Sequence, residues 1–200
     1  MSGSIRLRSF FRTGPFVAAQ RFLPNAALTV VQRTLFPMPK QEATRVLQGL
    51  MRRGVPFVLA GGWAVDALVP GLERRHADLD VIVAPSAVST LVAVLAEIGY
   101  TRTENFAEGG WWAPVFTVFR DAGGRRIEAL PLTQEQLDLL ARRAEELLGH
   151  GVDGAPVIGL VEGVEVACLP PALQLAAHDG FAMNYVQRKD FRHLDVLARR

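Results

Sequence analysis

Apolar residues in this chain recur at two different periods, and the switch between them marks out its elements. From residue 40 to 53 the apolar positions Val46, Leu47, Leu50 and Met51 fall on one side of a 3.6-residue turn, which predicts a helix closed by Gly54. Pro56 to Ala60 is a short apolar run expected to form a strand, with Gly61-Gly62 directly after it. Trp63 to Val69 reads as a brief helix stopped at Pro70-Gly71. A polar loop from Glu73 to Ala77 leads into a second strand, Asp78 to Ala84. Ser86 is expected to cap the next helix, whose residues Val88, Leu91, Val92, Leu95 and Ile98 keep helical spacing until Gly99.

Val115 to Arg120 and Arg125 to Leu130 are two further strands, and Asp121-Ala122-Gly123-Gly124 between them is a hairpin signal. Thr133 with Gln136 has the spacing of a capping box and opens a helix to about Leu148. A loop follows from Gly149 to Gly154, then two short strands, then helices expected at 171–186 and 189–198. No internal repeat or low-complexity tract is present. The pattern predicts an α+β chain in three parts: an extension over 1–39, a core over 40–150, and a strand-then-helix region over 151–200 packed on that core.

Half of the 200 residues are hydrophobic and 21% are charged, so a buried core is expected and wholesale disorder is not. The lone cysteine, Cys168, lies in an apolar run and reads as a core residue in a reducing, cytoplasmic setting. No apolar run approaches the ~20 residues that span a bilayer. The net charge of +2 is small but unevenly spread. No acidic residue precedes Glu42, whereas Arg6, Arg8, Arg12, Arg21, Arg33 and Lys40 do. That stretch is a solvated extension, an arm for RNA phosphates or anionic lipid, or a targeting segment broken by its prolines.

The candidate chemistry begins with Asp78-Leu79-Asp80. Residues two apart on a strand share a face, so both carboxylates point one way while Leu79 points into the core. Like charges that close repel unless a cation lies between them, and oxygen ligands select a hard ion such as Mg²⁺. Gly61-Gly62, between a strand and a helix, lets the backbone approach a ligand and offers helix N-terminal N–H groups to phosphate. A phosphate cradle beside a divalent-cation site is what metal-assisted phosphoryl transfer requires. Glu128 is the best candidate for a third carboxylate, ahead of Asp121 and Glu165.

Leu59-Ala60-Gly61-Gly62-Trp63-Ala64-Val65-Asp66, followed by Arg74-x-His76-x-Asp78-Leu79-Asp80-Val81, resembles the signature of the aminoglycoside and lincosamide nucleotidyltransferases, members of the DNA polymerase β-type superfamily. The resemblance spans about residues 55–132, with a weaker echo in His178-x-Gly180-Phe181, Lys189-Asp190 and Asp195. It implies a short mixed sheet flanked by helices, with a mostly helical C-terminal part. It also implies an NTP co-substrate on Gly61 and Gly62, two Mg²⁺ ions on Asp78 and Asp80, and a small-molecule hydroxyl acceptor. The third family carboxylate, usually aspartate, falls on Glu128 in Ile127-Glu128-Ala129-Leu130-Pro131-Leu132, as general base or metal ligand. Alanine then leucine stand where Leu-His is common.

Other positions keep two readings. Arg74 and His76 either serve phosphate and Asp78 or are held against Glu73 or Asp66, and Asp66 itself is expected to tie the short helix to the loop. Lys189 either reaches the triphosphate or is solvated. His178 is expected to be a satisfied core histidine. Trp111-Trp112 either stack a ring of a ligand or are buried. Two rival functions follow from the same residues: a toxin-like or RNA-directed nucleotidyltransferase using the basic arm, and a non-catalytic nucleotide-binding or partner-binding domain.

Overall fold

The computed structural model describes residues 34–72, 74–107, 111–112, 114–179 and 185–199, with backbone alone at 106 and 185–191. The basic extension up to residue 33, Glu73, Gly109-Gly110 and Gly180-Phe181 lie outside the described residues. The elements are α1 (Lys40–Arg52), β1 (Val58–Ala60), α2 (Gly61–Leu68), β2 (Asp78–Val83), α3 (Val88–Glu97), β3 (Tyr100–Ala107), β4 (Val115–Asp121), β5 (Arg126–Pro131), α4 (Gln134–Leu148), β6 (Val157–Val161), β7 (Val164–Cys168), α5 (Pro171–His178) and α6 (Tyr185–Ala198).

The strands form one mixed sheet in the order β3-β4-β5-β2-β1-β7-β6. β2 runs parallel to β5 and β1 parallel to β7, while the remaining neighbours are antiparallel. Alternation along β2 decides which layer each residue joins. Leu79, Val81 and Val83 point to one face, where Leu59, Phe119, Ile127 and Cys168 join them under α1, α3 and the Trp63 side of α2. Ile82, with Ala60, Phe116 and Leu130, points to the other face, which α4 covers through Leu140 and Ala144 and α5 through Ala172, Leu173 and Ala176. Leu194 of α6 packs on Val65 of α2 and Leu175 of α5. Burial pushes the Cys168 thiol up to about 11, as expected for a core residue.

Local chemistry sets the start of α4. Thr133 Oγ1 accepts from the Gln136 N–H at 3.3 Å while Gln136 Oε1 accepts from the Thr133 N–H at 3.0 Å, so the capping box forms. Four details differ from the sequence expectation. Ser86 makes no cap: Pro85–Ala87 is a 3₁₀ turn whose Ala87 N–H already bonds the Ala84 carbonyl at 2.9 Å, and the helix starts at Val88. β3 was not foreseen because Thr101, Arg102, Thr103 and Asn105 are polar, as suits an edge strand. Gly61 and Gly62 form the first turn of α2 rather than preceding it. The helix expected over 171–186 ends at His178, because Asp179 turns to extended backbone and its carboxylate is held by Arg143.

On the sheet face opposite the candidate carboxylates, Glu42 of α1 is buried within a polar cluster. Its carboxylate accepts from Tyr100 Oη at 2.8 Å and Arg45 Nε at 3.0 Å and pairs with Arg125 Nη1 at 3.1 Å. Burial pushes this carboxyl up, but the bonds from Arg45 and Tyr100 and the charge of Arg125 together hold it below its ordinary value of 4.5. The unfolded chain therefore binds this proton more tightly, so the stabilisation is complete above about pH 4.5 and is lost as pH falls below it. Glu42→Gln is expected to remove about 1 to 2 kcal/mol at neutral pH and to flatten the loss of stability between pH 5 and pH 3. Urea melts across that range check it.

Candidate active site

The first residues of β2 and β5 lie side by side because these strands are parallel and in register. Cα partners are Asp78 with Arg126 and Asp80 with Glu128, and on the other side of β2 Asp80 is the partner of Ala60. Asp78, Asp80 and Glu128 thus share one sheet face. Asp78 and Asp80 are half-buried and Glu128 is buried.

Gly61 follows Ala60 directly and so meets the Asp80 carboxylate. A Cβ on Gly61 would lie 2.0 Å from Asp80 Oδ2, and the residue sits at φ +61°, in the left-handed region. Both facts demand glycine there. A Cβ on Gly62 would lie 2.7 Å from His76 Nδ1. The glycine pair therefore brings backbone against both the acidic strand and the histidine of the preceding loop.

Asp66, one turn into α2, organises that loop. Arg74 Nε donates to Asp66 Oδ1 at 2.7 Å and Arg74 Nη2 donates to the Gly62 carbonyl at 2.9 Å. His76 Nε2 lies 2.7 Å from Asp66 Oδ2, and its ring stacks on Trp63 with centroids 4.2 Å apart. Trp63 Nε1 in turn donates to the Asp78 carbonyl at 3.0 Å. These bonds link α2, the loop and the start of β2 into one rigid corner. Asp66→Ala strips His76 and Arg74 of a carboxylate they share in a largely buried place, and is expected to cost about 2 to 3 kcal/mol, roughly 5 to 10 °C in Tm. Thermal melts of the purified variant measure it.

Two arginines that sequence reasoning passed over stand among the carboxylates. Arg126 Nη2 pairs with Glu128 Oε1 at 2.6 Å, and Arg120 of β4 is the Cα partner of Arg126. Burial pulls the Arg126 guanidinium down, but the charges of Glu128, Asp78, Glu104 and Asp80 outweigh it and raise its proton affinity. Arg120 is shifted the other way, by burial first and by Arg126 next, and its Nη2 reaches Glu104 Oε1 at 3.4 Å. The available signal was the spacing: Arg126 stands two residues before Glu128 and must share its face.

The other singled-out residues lie elsewhere. Trp111 and Trp112 donate their indole N–H groups to the carbonyls of Asp179 and Ala177, both at 3.1 Å, tying the β3–β4 connection to the end of α5. His178 Nδ1 is 2.7 Å from the Gln174 carbonyl, and burial lowers its proton affinity. Asp121 is taken by Arg125, and Glu165 lies on β7 opposite Leu160. Lys189 falls in α6, with its side chain outside the described residues. Among the described residues no group of three or more His, Cys, Asp or Glu side chains is drawn together as a metal-ligand cluster. The donor set of Asp78 and Asp80 is oxygen only, beside the Gly61 backbone, which fits a hard divalent cation rather than a soft one.

Several solved structures are similar. Lincosamide antibiotic adenylyltransferase LnuA with lincomycin bound shares 17% identity at a TM-score of 0.56, over 80% of this chain and 98% of that one. ANT(2'')-Ia in complex with adenylyl-2''-tobramycin shares 16% identity at a TM-score of 0.56, over 78% and 87%. The solution structure of ANT(2'')-Ia shares 16% identity at 0.53, over 84% of each chain. At such identities these likenesses establish the nucleotidyltransferase fold alone. No curated protein sequence matches the chain. The family model described as aminoglycoside-2''-adenylyltransferase matches residues 42–194, which takes in the carboxylate strands, the glycine turn and the first ten residues of the last helix. The chain belongs to the aminoglycoside-2''-adenylyltransferase family of nucleotidyltransferases.

Proposed function

We propose that this protein transfers a nucleoside monophosphate from an NTP to a hydroxyl of an aminoglycoside- or lincosamide-like acceptor in the cytoplasm, with Mg²⁺. One observation carries the reading: Asp80 stands in register between Ala60 and Glu128, with its carboxylate against the Gly61 backbone. The N–H groups at the start of α2, beginning with Gly61 and Gly62, bind the triphosphate, where the helix end favours anions. Asp66 holds that turn in place through Arg74 and His76, and Lys189 is a further candidate to bind the phosphates.

Asp78 and Asp80 hold the divalent cations, two ions on the family pattern, beside Gly61. When bound, the metal neutralises phosphate charge and makes the acceptor hydroxyl more acidic. Glu128, the neighbour of Asp80, accepts the hydroxyl proton at a carboxylate oxygen as the acceptor oxygen attacks the α-phosphorus in line. The bond from that phosphorus to the bridging oxygen breaks, and pyrophosphate leaves with its electron pair.

The acceptor class rests on the family match and on the antibiotics named in the complexes of LnuA and ANT(2'')-Ia. The test is to incubate the protein with each α-labelled NTP, Mg²⁺ and a panel of aminoglycosides and lincosamides. Label is expected on an acceptor hydroxyl with one pyrophosphate released per transfer. Tight NTP binding with no transfer would instead make this a non-catalytic nucleotide-binding domain. Labelling of RNA that disappears on deletion of residues 1–38 would make it RNA-directed.

A further inference from the structure

The geometry points to Arg126 as a built-in counter-ion of the candidate site: it holds Glu128 in the metal-free protein and must give way before a divalent cation binds tightly between β2 and β5. The inference rests on the proposed function above and adds a positioning residue to it.

Arg126 is the cross-strand partner of Asp78 and stands two residues before Glu128, so all three side chains leave the same sheet face. Its guanidinium pairs with Glu128 at 2.6 Å and is only one-fifth exposed. It is also directly opposed to Arg120 in the sheet. Two arginines facing each other across strands repel, and the pairing persists only because acidic groups surround it. Glu104 takes Arg120, while Glu128 takes Arg126 with Asp78 and Asp80 nearby. Asp78, Asp80 and Glu128 leave one sheet face, and Arg126 sets a positive charge beside them.

Two consequences follow. A positive charge within a few ångströms opposes the entry of a divalent cation, so metal without nucleotide binds weakly. The charge of an incoming triphosphate gives Arg126 another partner, so nucleotide draws it away from Glu128. Metal and nucleotide binding are thereby coupled through one side chain.

The test is Mn²⁺ titration of the full chain by electron paramagnetic resonance, without and with ATP. Wild type is expected to bind Mn²⁺ weakly without ATP. Arg126→Met is expected to bind it about tenfold more tightly, the scale of one nearby charge. Arg126→Lys, which keeps the charge, is expected to stay close to wild type. Without metal, Arg126→Met is expected to melt at lower temperature and to regain more on adding Mn²⁺ than wild type does. Unchanged or weaker nucleotide-free binding in Arg126→Met overturns the inference. Should that variant not fold, ¹⁵N-labelled wild type decides: the arginine Nε–Hε signal that Arg126→Lys removes must shift on saturation with Mg²⁺, and a signal that stays put overturns it. Asp80→Asn separates the two levels of the argument. Mn²⁺ binding with ATP that survives Asp80→Asn contradicts the metal role proposed for Asp80, whereas binding that Asp80→Asn abolishes but Arg126→Met leaves unaltered contradicts only the role of Arg126.

Discussion

Asp80→Asn is expected to lower nucleotidyl transfer by at least about 1,000-fold while leaving the protein folded. Asparagine keeps the shape that packs against Gly61, whose Cα leaves no room for anything larger beside the Asp80 carboxylate. What it removes is one of the negative charges that the proposed cation needs. A loss of that size corresponds to about 4 kcal/mol of transition-state stabilisation, within the range supplied by a metal at a phosphoryl group. Folding should respond little. Asparagine at 80 loses repulsion from Asp78 and Glu128 but also attraction to Arg126, so Tm should stay close to wild type. Label transfer and a thermal melt on the same preparation check both halves. A variant that is inactive because it is unfolded would not support this account.

Gly61→Ala carries the second large effect, and here stability and activity should fall together. Alanine at φ +61° costs about 1 kcal/mol on backbone grounds alone. Its Cβ would also lie 2.0 Å from Asp80 Oδ2, so either the turn or the carboxylate must move. The combined cost is expected to reach about 2 to 3 kcal/mol, with activity down at least 100-fold, because a displacement near 1 Å at a reacting centre is enough for that. Gly71→Ala is the natural control. It too has a positive φ, +82°, but nothing lies within 4 Å of its Cβ position. It should pay the backbone cost and keep its activity. If both variants lost activity equally, crowding against Asp80 would not be the cause.

Much of this site could be read from residue order because its parts are local. Strand alternation put Asp78 and Asp80 on one face with Leu79 beneath, and Leu79 is fully buried. The Asp121 to Gly124 turn made β4 and β5 neighbours, and the Thr133–Gln136 box set the start of α4. What could not be read is what depends on pairing between distant strands. That β5 lies beside β2 in parallel, with Glu128 level with Asp80, joins residues 48 positions apart; no local pattern fixes it, although the family resemblance pointed to Glu128 as the third carboxylate. The opposition of Arg120 and Arg126 is of the same kind. β3 escaped notice because an edge strand with polar side chains has no hydrophobic period to detect. Asp66 marks the boundary between the two cases. Its place near the loop was readable, but its simultaneous hold on Arg74 and His76 needed the turn that Gly61 and Gly62 make.

The central claim is that Asp78 and Asp80 gather a divalent cation against a triphosphate lying on the glycine turn. The most direct test is a crystal structure with Mn²⁺ and an ATP analogue that cannot be cleaved between the α- and β-phosphates, read by anomalous scattering. The account predicts a manganese peak about 2.0 to 2.3 Å from carboxylate oxygens of both Asp78 and Asp80, with phosphate oxygens at the Gly61 and Gly62 N–H groups. Manganese bound elsewhere, or a triphosphate seated away from that turn, would contradict it.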